Sequence, residues 1–468
     1  MKHDTSSGMR KPPTVTFYGA AQAVSGSVHL IECGNSRFLL DCGLFRGPRE
    51  ESKARNSSFA FDPTTIDAVF LSHAHVDHCG NLPNLVRQGF SGPIYCTNAT
   101  RDLICVMLED SARIHEQELA MAYSRRGAGN QSSLFGYEDV DNMMELCIGV
   151  DYLQNISVDP DVQIRFIDSG HILGSAMIAI KMQLDGEEYS ITFTGDLGRS
   201  GVPFVAEPSP VPAADLIICE STYGGKTHDS LKMMSAKMAG LVTKTYERGG
   251  KVLIPAFSLG RTHLVLHYLR LWMSQGLMPK MPIFVDSPLS QKFDVVFQKY
   301  QEYLVPDVEM PPCEWLESED EAWSRSTQRD PCIIVASGGM CDGGRIVPHL
   351  KSHLDDPRST IVLVSYQAPD SVGAQLLSHA PTIRLHGRIW NKWIEVAEVK
   401  GFSGHADKDD FESLLRDAVG QTGKVRLVHG EPPQMHALAS QLRDMGFNDV
   451  EAPKRKQSVT LYNRIAVR

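Results

Sequence analysis

Short runs of β-branched and aromatic residues, closed by glycine or a turn-forming polar residue, fill the first part of the chain. Residues 14–18, 28–33 and 37–41 read as strands of this kind. The apolar run 66–71 leads straight into the polar segment 72–80, the pattern of a strand that delivers a loop. From about Asn98 to Val150 the period becomes helical, with Asn98 as a cap, Leu103, Met107 and Leu108 on one face, and a polar break at 125–133. Strand patterns return at 163–167, 177–182, 190–194 and 216–219. Beyond Glu220, strands and helices take turns: strand 251–255, helix 262–273, then strands 283–285, 332–336 and 361–364. Such turn-taking predicts a parallel sheet covered by helices. The acidic segment 311–330 predicts a surface excursion, and the chain closes on strand 425–428 and an amphipathic helix at about 433–445.

Composition narrows this picture. With 468 residues, 42% of them hydrophobic, the chain is long enough for two or three domains. It carries 46 basic against 56 acidic residues, a net charge of -10, which excludes general coating of nucleic acid or of an anionic membrane surface. Any nucleic-acid contact must be local. The 10 cysteines form no C-x-x-C pair, and Cys96, Cys219 and Cys332 sit in apolar runs, which predicts buried thiols in a reducing compartment. The polar start, with Pro12 and Pro13, lacks the apolar stretch of a signal peptide, and no run approaches the roughly 20 apolar residues of a membrane helix. The expected location is the cytoplasm, without membrane contact.

The strongest chemical signal is Ser72-His73-Ala74-His75-Val76-Asp77-His78. Imidazoles and a carboxylate this dense make poor core, because each polar group needs a partner once buried. A metal supplies that partner. In an extended loop His73 and His75 point the same way and can grip one divalent ion, while Asp77 and His78, after a turn, can reach a second. Imidazole nitrogen and carboxylate oxygen are ligands that catalytic zinc favours. Further ligands must come from elsewhere. His171 and Asp196 each lie just past a strand and beside glycine, which lets backbone approach a site closely.

Taken in order, Leu40-Asp41-Cys42-Gly43, the histidine cluster, His171 and Asp196 resemble the successive motifs of the metallo-β-lactamase superfamily. The later motifs resemble its nucleic-acid-processing branch, the β-CASP family, which includes prokaryotic ribonucleases and the nuclease subunit of the cleavage and polyadenylation machinery. Cys219-Glu220-Ser221-Thr222-Tyr223-Gly224 is similar to that family's acidic motif A, Gly401-Phe402-Ser403-Gly404-His405-Ala406-Asp407 to motif B, and Leu427-Val428-His429-Gly430-Glu431 to motif C. The resemblance implies an α/β fold: a metallo-β-lactamase αβ/βα sandwich from residues 1–220 and 395–468, with an inserted α/β β-CASP domain at 221–394. It also implies that His73, His75 and His171 hold one zinc ion, that Asp77, His78 and His429 hold another, and that Asp196 bridges them. Asp41 then orients the histidine loop by hydrogen bonds, or simply ends a strand as a turn carboxylate.

Two metals about 3.5–4 Å apart can share a hydroxide and polarise a phosphoryl oxygen, which suits attack on phosphorus. His405 is the expected acid for the departing oxygen, since imidazole titrates near neutrality, and Glu220 would fix its tautomer. Asp77 is counted with His405 and Glu220 at the catalytic end of the site. The glycine-rich stretch containing Ser337, Gly338 and Gly339, with Arg345, reads either as an anion nest or as a tight turn. Arg261 and Ser403 are further candidate phosphate contacts. Ala374 and Gln375 depart from the resemblance, standing where relatives often carry arginine.

Motif C carries a histidine here, whereas DNA-repair relatives resemble one another in an apolar residue at that place. The implied substrate is single-stranded RNA, cut by a ribonuclease with two zinc ions to leave 5′-phosphate and 3′-hydroxyl ends, endonucleolytically, with or without 5′-3′ exonuclease action. A monomer or a homodimer is compatible with this reading. Two other readings compete. A hydrolase of small thioesters or lactams has no need of motifs A, B and C, and a silent scaffold subunit of an RNA-processing complex has no need of every ligand.

Overall fold

The strand Ala176–Leu184 sends Ile178, Ile180 and Met182 into one apolar core and Met177 and Ala179 into another, as alternate residues of a pleated strand must. The computed structural model in which this is seen describes residues 10–126, 133–202, 204–306, 313–368 and 370–462. Contacts divide the chain into two compact units, Met1–Thr227 with His405–Arg468, and His228–Gly404.

The first unit holds two seven-stranded sheets. One runs, in spatial order, Ser458–Thr460, Thr14–Phe17, His29–Cys33, Ser36–Leu40, Ala68–Phe70, Ile94–Thr97 and Cys147–Val150. The other runs Val450–Glu451, Lys424–Val428, Leu216–Glu220, Glu187–Phe193, Ala176–Leu184, Val162–Asp168 and Ile156–Asp159. Phe17, Ile31, Phe38 and Phe70 of the first share a core with Phe166, Ile178, Phe193 and Ile218 of the second, so the sheets pack face to face. Behind the second sheet, Met177, Ile217 and Cys219 meet Phe411, Leu414, Met435 and Leu438 of helices Lys408–Leu415 and Pro432–Met445. The long helix Asn98–Arg126 packs against strands Ile94–Thr97 and Cys147–Val150 of the first. This is the expected αβ/βα sandwich.

The second unit is built on a six-stranded sheet, ordered Glu314–Trp315, Ile283–Asp286, Ile333–Ser337, Val252–Ala256, Thr360–Leu363 and Glu395–Glu398, in which every pairing is parallel. Helices cover parallel sheets on both faces, so their central strands read as unbroken apolar runs. Val252–Ala256 and Ile283–Asp286 are buried at every position.

Several expectations shift. Residues 221–227 stay with the first unit, because Tyr223 bridges Asp407 and the Lys226 carbonyl accepts from the Lys408 amide. At the other boundary, Glu395–Glu398 pairs with Thr360–Leu363 and so extends the second unit past 394. The acidic stretch read as an excursion holds an edge strand, Glu314–Trp315, and the helix Glu319–Thr327. Ser318 caps that helix by accepting from the Glu321 amide, and Glu319, Asp320 and Glu321 fill its first turn, where negative charge complements the helix dipole. The helical stretch predicted to run to Val150 ends in a strand, Cys147–Val150, paired with Ile94–Thr97. The break expected at 125–133 falls largely outside the described residues. All 10 cysteines are free thiols, and no helix among the described residues is long and apolar enough to cross a membrane.

Candidate metal centre

Strand ends deliver most of the site. Asp41 follows Ser36–Leu40, and the loop bearing His73, His75, Asp77 and His78 follows Ala68–Phe70, its parallel neighbour. His171 follows Val162–Asp168, Asp196 follows Glu187–Phe193, Glu220 closes Leu216–Glu220, and His429 follows Lys424–Val428. The last three strands are mutually parallel. Val162–Asp168 runs the same way, because two antiparallel pairings separate it from Glu187–Phe193. All four carboxyl ends of that sheet therefore present their residues at one edge. His405 comes from the loop before helix Lys408–Leu415. Asp41 (φ 58°) and His429 (φ 48°) occupy the left-handed region that non-glycine residues rarely adopt.

Three imidazoles converge first. His75 Nδ1 lies 3.1 Å from His73 Nε2 and 3.3 Å from His171 Nε2. One ring nitrogen carries one hydrogen and can satisfy only one of those contacts. A cation at the centre resolves the conflict, and ligand atoms about 2.0–2.1 Å from a tetrahedral zinc stand about 3.3–3.4 Å apart. Asp77, His78 and His429 form a second group. Asp196 faces both: its Oδ2 lies 3.5 Å from His73 Nε2 and 3.6 Å from His171 Nε2, while its Oδ1 lies 3.4 Å from His78 Nε2 and 3.3 Å from His429 Nδ1. His78 Nε2 and Asp196 Oδ1 are buried atoms that make no hydrogen bond. Such orphans are costly unless something else fills the gap.

The electrostatics point the same way. Burial, reinforced by the charge of a neighbouring histidine, holds the pKa values of His73, His75 and His171 below the ordinary histidine range, so these rings are neutral and offer lone pairs. Burial alone would raise Asp77 and Asp196, yet the surrounding histidines outweigh it and keep both below the usual carboxylate range. Burial opposes a charge on His78 too, but Asp196 and Asp41 together lift its pKa well above the ordinary value. Buried carboxylates here call for positive charge, and neutral imidazoles stand ready as ligands. The donor set fits divalent cations.

Hydrogen bonds fix the ligand rings. Asp41 accepts at Oδ1 from the Ser72 amide (2.8 Å) and at Oδ2 from His78 Nδ1 (2.7 Å), Ser27 Oγ (3.0 Å) and Ser72 Oγ (3.1 Å). With Nδ1 spent on Asp41, His78 turns Nε2 to the centre. Thr222 Oγ1 donates to the His429 carbonyl (3.0 Å) and lies 3.1 Å from His429 Nδ1. The hydroxyl thus holds both the backbone and the ring of His429 in place. Sequence reasoning missed Ser27, Ser72 and Thr222 as individual groups. Ser72 and Thr222 lie inside the quoted motifs, whereas nothing local marked Ser27.

Glu220 is fully buried and engaged on both oxygens. Oε1 accepts from the Leu197 amide (2.9 Å) and lies 3.0 Å from His405 Nδ1, while Oε2 accepts from the Thr222 amide (2.9 Å). The His405 ring stands 4.5 Å from that of His171, and its Nδ1 is 3.8 Å from Asp196 Oδ2. Tyr223 stacks on it at 6.2 Å.

The candidate phosphate contacts belong to the second unit. Arg345 is held by Asp286 (2.6 Å) and Glu319 (3.3 Å), and Asp286 is buried and also bonds His349 Nε2 (2.8 Å). Arg261 donates to the Val364 carbonyl at 2.6 Å. A side chain on Gly338 (φ 113°) would overlap the Gly343 carbonyl, so that glycine serves a tight turn. Ser403 is buried.

Gly43 has a sharper role. A Cβ there would overlap the backbone of Asp77, so the absence of a side chain is what lets the metal loop close on the strand beside it. Gly43→Ala is expected to cost about 1–3 kcal/mol, the usual range for overpacking, and to lower metal retention with it. Melting temperature and elemental analysis check this; an unchanged value of both would show that the loop yields freely.

Comparison with known proteins agrees with the geometry. The chain matches the models of the metallo-beta-lactamase superfamily over residues 21–108, of the Beta-Casp domain over 262–376, and of the Zn-dependent metallo-hydrolase RNA specificity domain over 394–453. It is 33% identical over 437 residues to Ribonuclease TTHA0252 of Thermus thermophilus, covering 91% of this chain and 95% of that one. It is 29% identical over 471 residues to transcription termination factor FttA of Methanocaldococcus jannaschii, covering 95% and 71%. Among solved structures it shares its fold with a protein of unknown function from Enterococcus faecalis V583, with a TM-score of 0.55 at 14% identity, covering 96% of this chain and 100% of that one.

Proposed function

Because this chain belongs to the β-CASP family of the metallo-β-lactamase superfamily, and is therefore a metal-dependent hydrolase, we propose that it is a two-zinc ribonuclease. In this reading it hydrolyses single-stranded RNA endonucleolytically, with or without 5′-3′ exonuclease action, and leaves 5′-phosphate and 3′-hydroxyl ends. The observation that carries the proposal is the Glu220–His405 pair set against Asp196 and His171, an acid–base couple beside a metal-ligand cluster. An RNA substrate is supported by the RNA specificity match, which spans both His405 and His429, and by the Thermus relative, which is named a ribonuclease.

His73, His75 and His171 would hold one zinc, Asp77, His78 and His429 the other, with Asp196 shared. Bound there, zinc supplies Lewis-acid polarisation of a phosphoryl oxygen and a more acidic attacking water. The remaining work falls to the chain itself. Asp41 and Thr222 fix the rings of His78 and His429, and Asp77 adds negative charge at the centre. Glu220, immobilised by two backbone amides, accepts the His405 Nδ1 proton and so fixes the tautomer and ring plane. Proton delivery to the departing 3′ oxygen is then the task of His405 Nε2. The 10 free thiols suit a reducing compartment, and on that ground we place the protein in the cytoplasm.

Incubating the purified protein with 5′- and 3′-labelled RNA tests the reading. Attack by water-derived hydroxide yields 5′-phosphate and 3′-hydroxyl products. A 2′,3′-cyclic phosphate as the primary product would mean that the ribose hydroxyl attacks instead, and would sink the mechanism even if cleavage were robust. Internal fragments from both labels establish endonuclease action; mononucleotides released from the 5′ end establish the exonuclease.

A further inference from the structure

Strands Thr382–Leu385 and Arg388–Asn391 form a two-stranded antiparallel sheet of their own in the second unit. His386 (φ 48°) and Gly387 (φ 78°) make the two-residue turn between them, the geometry that matches strand twist. Residues opposite each other share a face. Ile383 and Leu385 enter the unit's apolar core and Trp390 packs against it. Arg384 and Ile389, which oppose one another, are exposed, and Ile389 is 68% so. Arg388 is exposed beside the turn, and Trp393, just past the second strand, is 61% exposed.

The charge of this region runs against that of the whole molecule. From Ser371 to Ile394 the sequence contains no aspartate or glutamate, although the chain as a whole carries a net charge of -10. Arg384 and Arg388 form no ion pair among the described residues. Gln375 pins the hairpin by accepting from the Arg384 amide at 3.0 Å, and the Trp393 amide donates to the Leu354 carbonyl at 2.7 Å. The backbone is thus anchored while Arg384, Ile389 and Trp393 are left exposed, as is Arg388 at the turn.

Unpaired arginines beside exposed apolar side chains fit a ligand that is polyanionic and has flat apolar faces. Single-stranded RNA has both: phosphates pair with guanidinium, and bases stack on arginine planes and on tryptophan. A second copy of this chain fits worse, because a two-fold contact through the hairpin would set arginine against arginine. We propose that the exposed side of this hairpin, with Arg384 on its outward face, Arg388 at its turn and Trp393 just past its second strand, is an RNA-contact surface additional to the residues that surround the scissile bond. The proposal rests on the ribonuclease reading above for the identity of the polyanion.

The test compares the wild-type protein, metals bound, with an Arg384→Glu, Arg388→Glu double variant and with Trp393→Ala. All three positions are exposed, so melting temperature should not move. For unstructured RNA of tens of nucleotides, the double variant is expected to raise KM about tenfold or more with kcat unchanged. The slope of log affinity against log salt should become shallower by about 0.7 per arginine lost. Trp393→Ala should weaken binding about five- to tenfold and leave the salt slope alone, as loss of one stacked base does. Unchanged affinity and slope on long RNA would overturn the proposal. So would a change from dimer to monomer in sedimentation without change in RNA affinity, which would give the face to a second copy. Binding is also read on RNA with uncleavable linkages. Wild type that binds this RNA but leaves the same sequence with ordinary linkages uncut would refute the catalytic reading alone, while wild type that cleaves normally beside unaffected hairpin variants would refute the hairpin alone.

Discussion

Asp196→Ala protein is expected to lose metal from both positions at once, and with it RNA cleavage by on the order of 10³-fold or more, the several kcal/mol that metals contribute to a transition state. The reason is geometric. One carboxylate oxygen faces His73 and His171 and the other faces His78 and His429, so no single remaining residue spans both groups. Removing a ligand of one group only, as in His75→Ala, should leave the other position partly filled. Elemental analysis of unchelated protein distinguishes the cases. Normal metal content in Asp196→Ala would show that the two groups fill independently and that no residue is shared.

His405→Ala should behave differently: activity falls about 10²- to 10⁴-fold, as removal of a general acid typically does, while metal content and KM stay near wild type. Of its hydrogen-bond partners Glu220 is the one that matters, because that carboxylate is locked by the Leu197 and Thr222 amides. Glu220→Gln keeps the shape and loses the charge, so it should fall in the same direction by less. His429→Ala supplies the contrast, costing metal as well as rate. Single-turnover cleavage, zinc content and melting temperature of the three variants decide the matter. Near-normal turnover in His405→Ala would reduce this histidine to a loop support.

The centre was legible in sequence because its chemistry is local and improbable. The run from His73 to His78 announces a metal without any structure, and the spacing of His171, Asp196 and His429 follows from strand ends. The strands of the sandwich were legible for a similar reason, since alternation as regular as that of Ala176–Leu184 fits little besides a pleated strand. What escaped depends on partners distant in the chain. Thr222 and His429 meet although the whole second unit separates them in sequence, and Ser27 matters only because Asp41 and Ser72 fold over it. Strand Cys147–Val150 is half exposed and too short to declare a period. Arg345 is a candidate phosphate contact because glycines precede it, and its ion pair with Asp286, which ends a strand far upstream, was not legible in the sequence. The hairpin at Thr382–Asn391 carries its signal in charge and exposure, which a search for hydrophobic period passes over.

The parallel pairing of Leu216–Glu220 with Lys424–Val428 sets the order in which a newly made chain acquires its chemistry. During synthesis the residues from His73 to Asp196 emerge first, then the entire second unit, and only afterwards His405 and His429. Until then the sheet lacks the strand that lies between Leu216–Glu220 and Val450–Glu451, and the site lacks His405 and His429. Closing so long a loop costs little more than closing a shorter one, since the entropy grows only with the logarithm of length. A nascent chain therefore has most strands of the sandwich before it has a complete site. On the ribonuclease reading, that order would spare the message the chain is being read from.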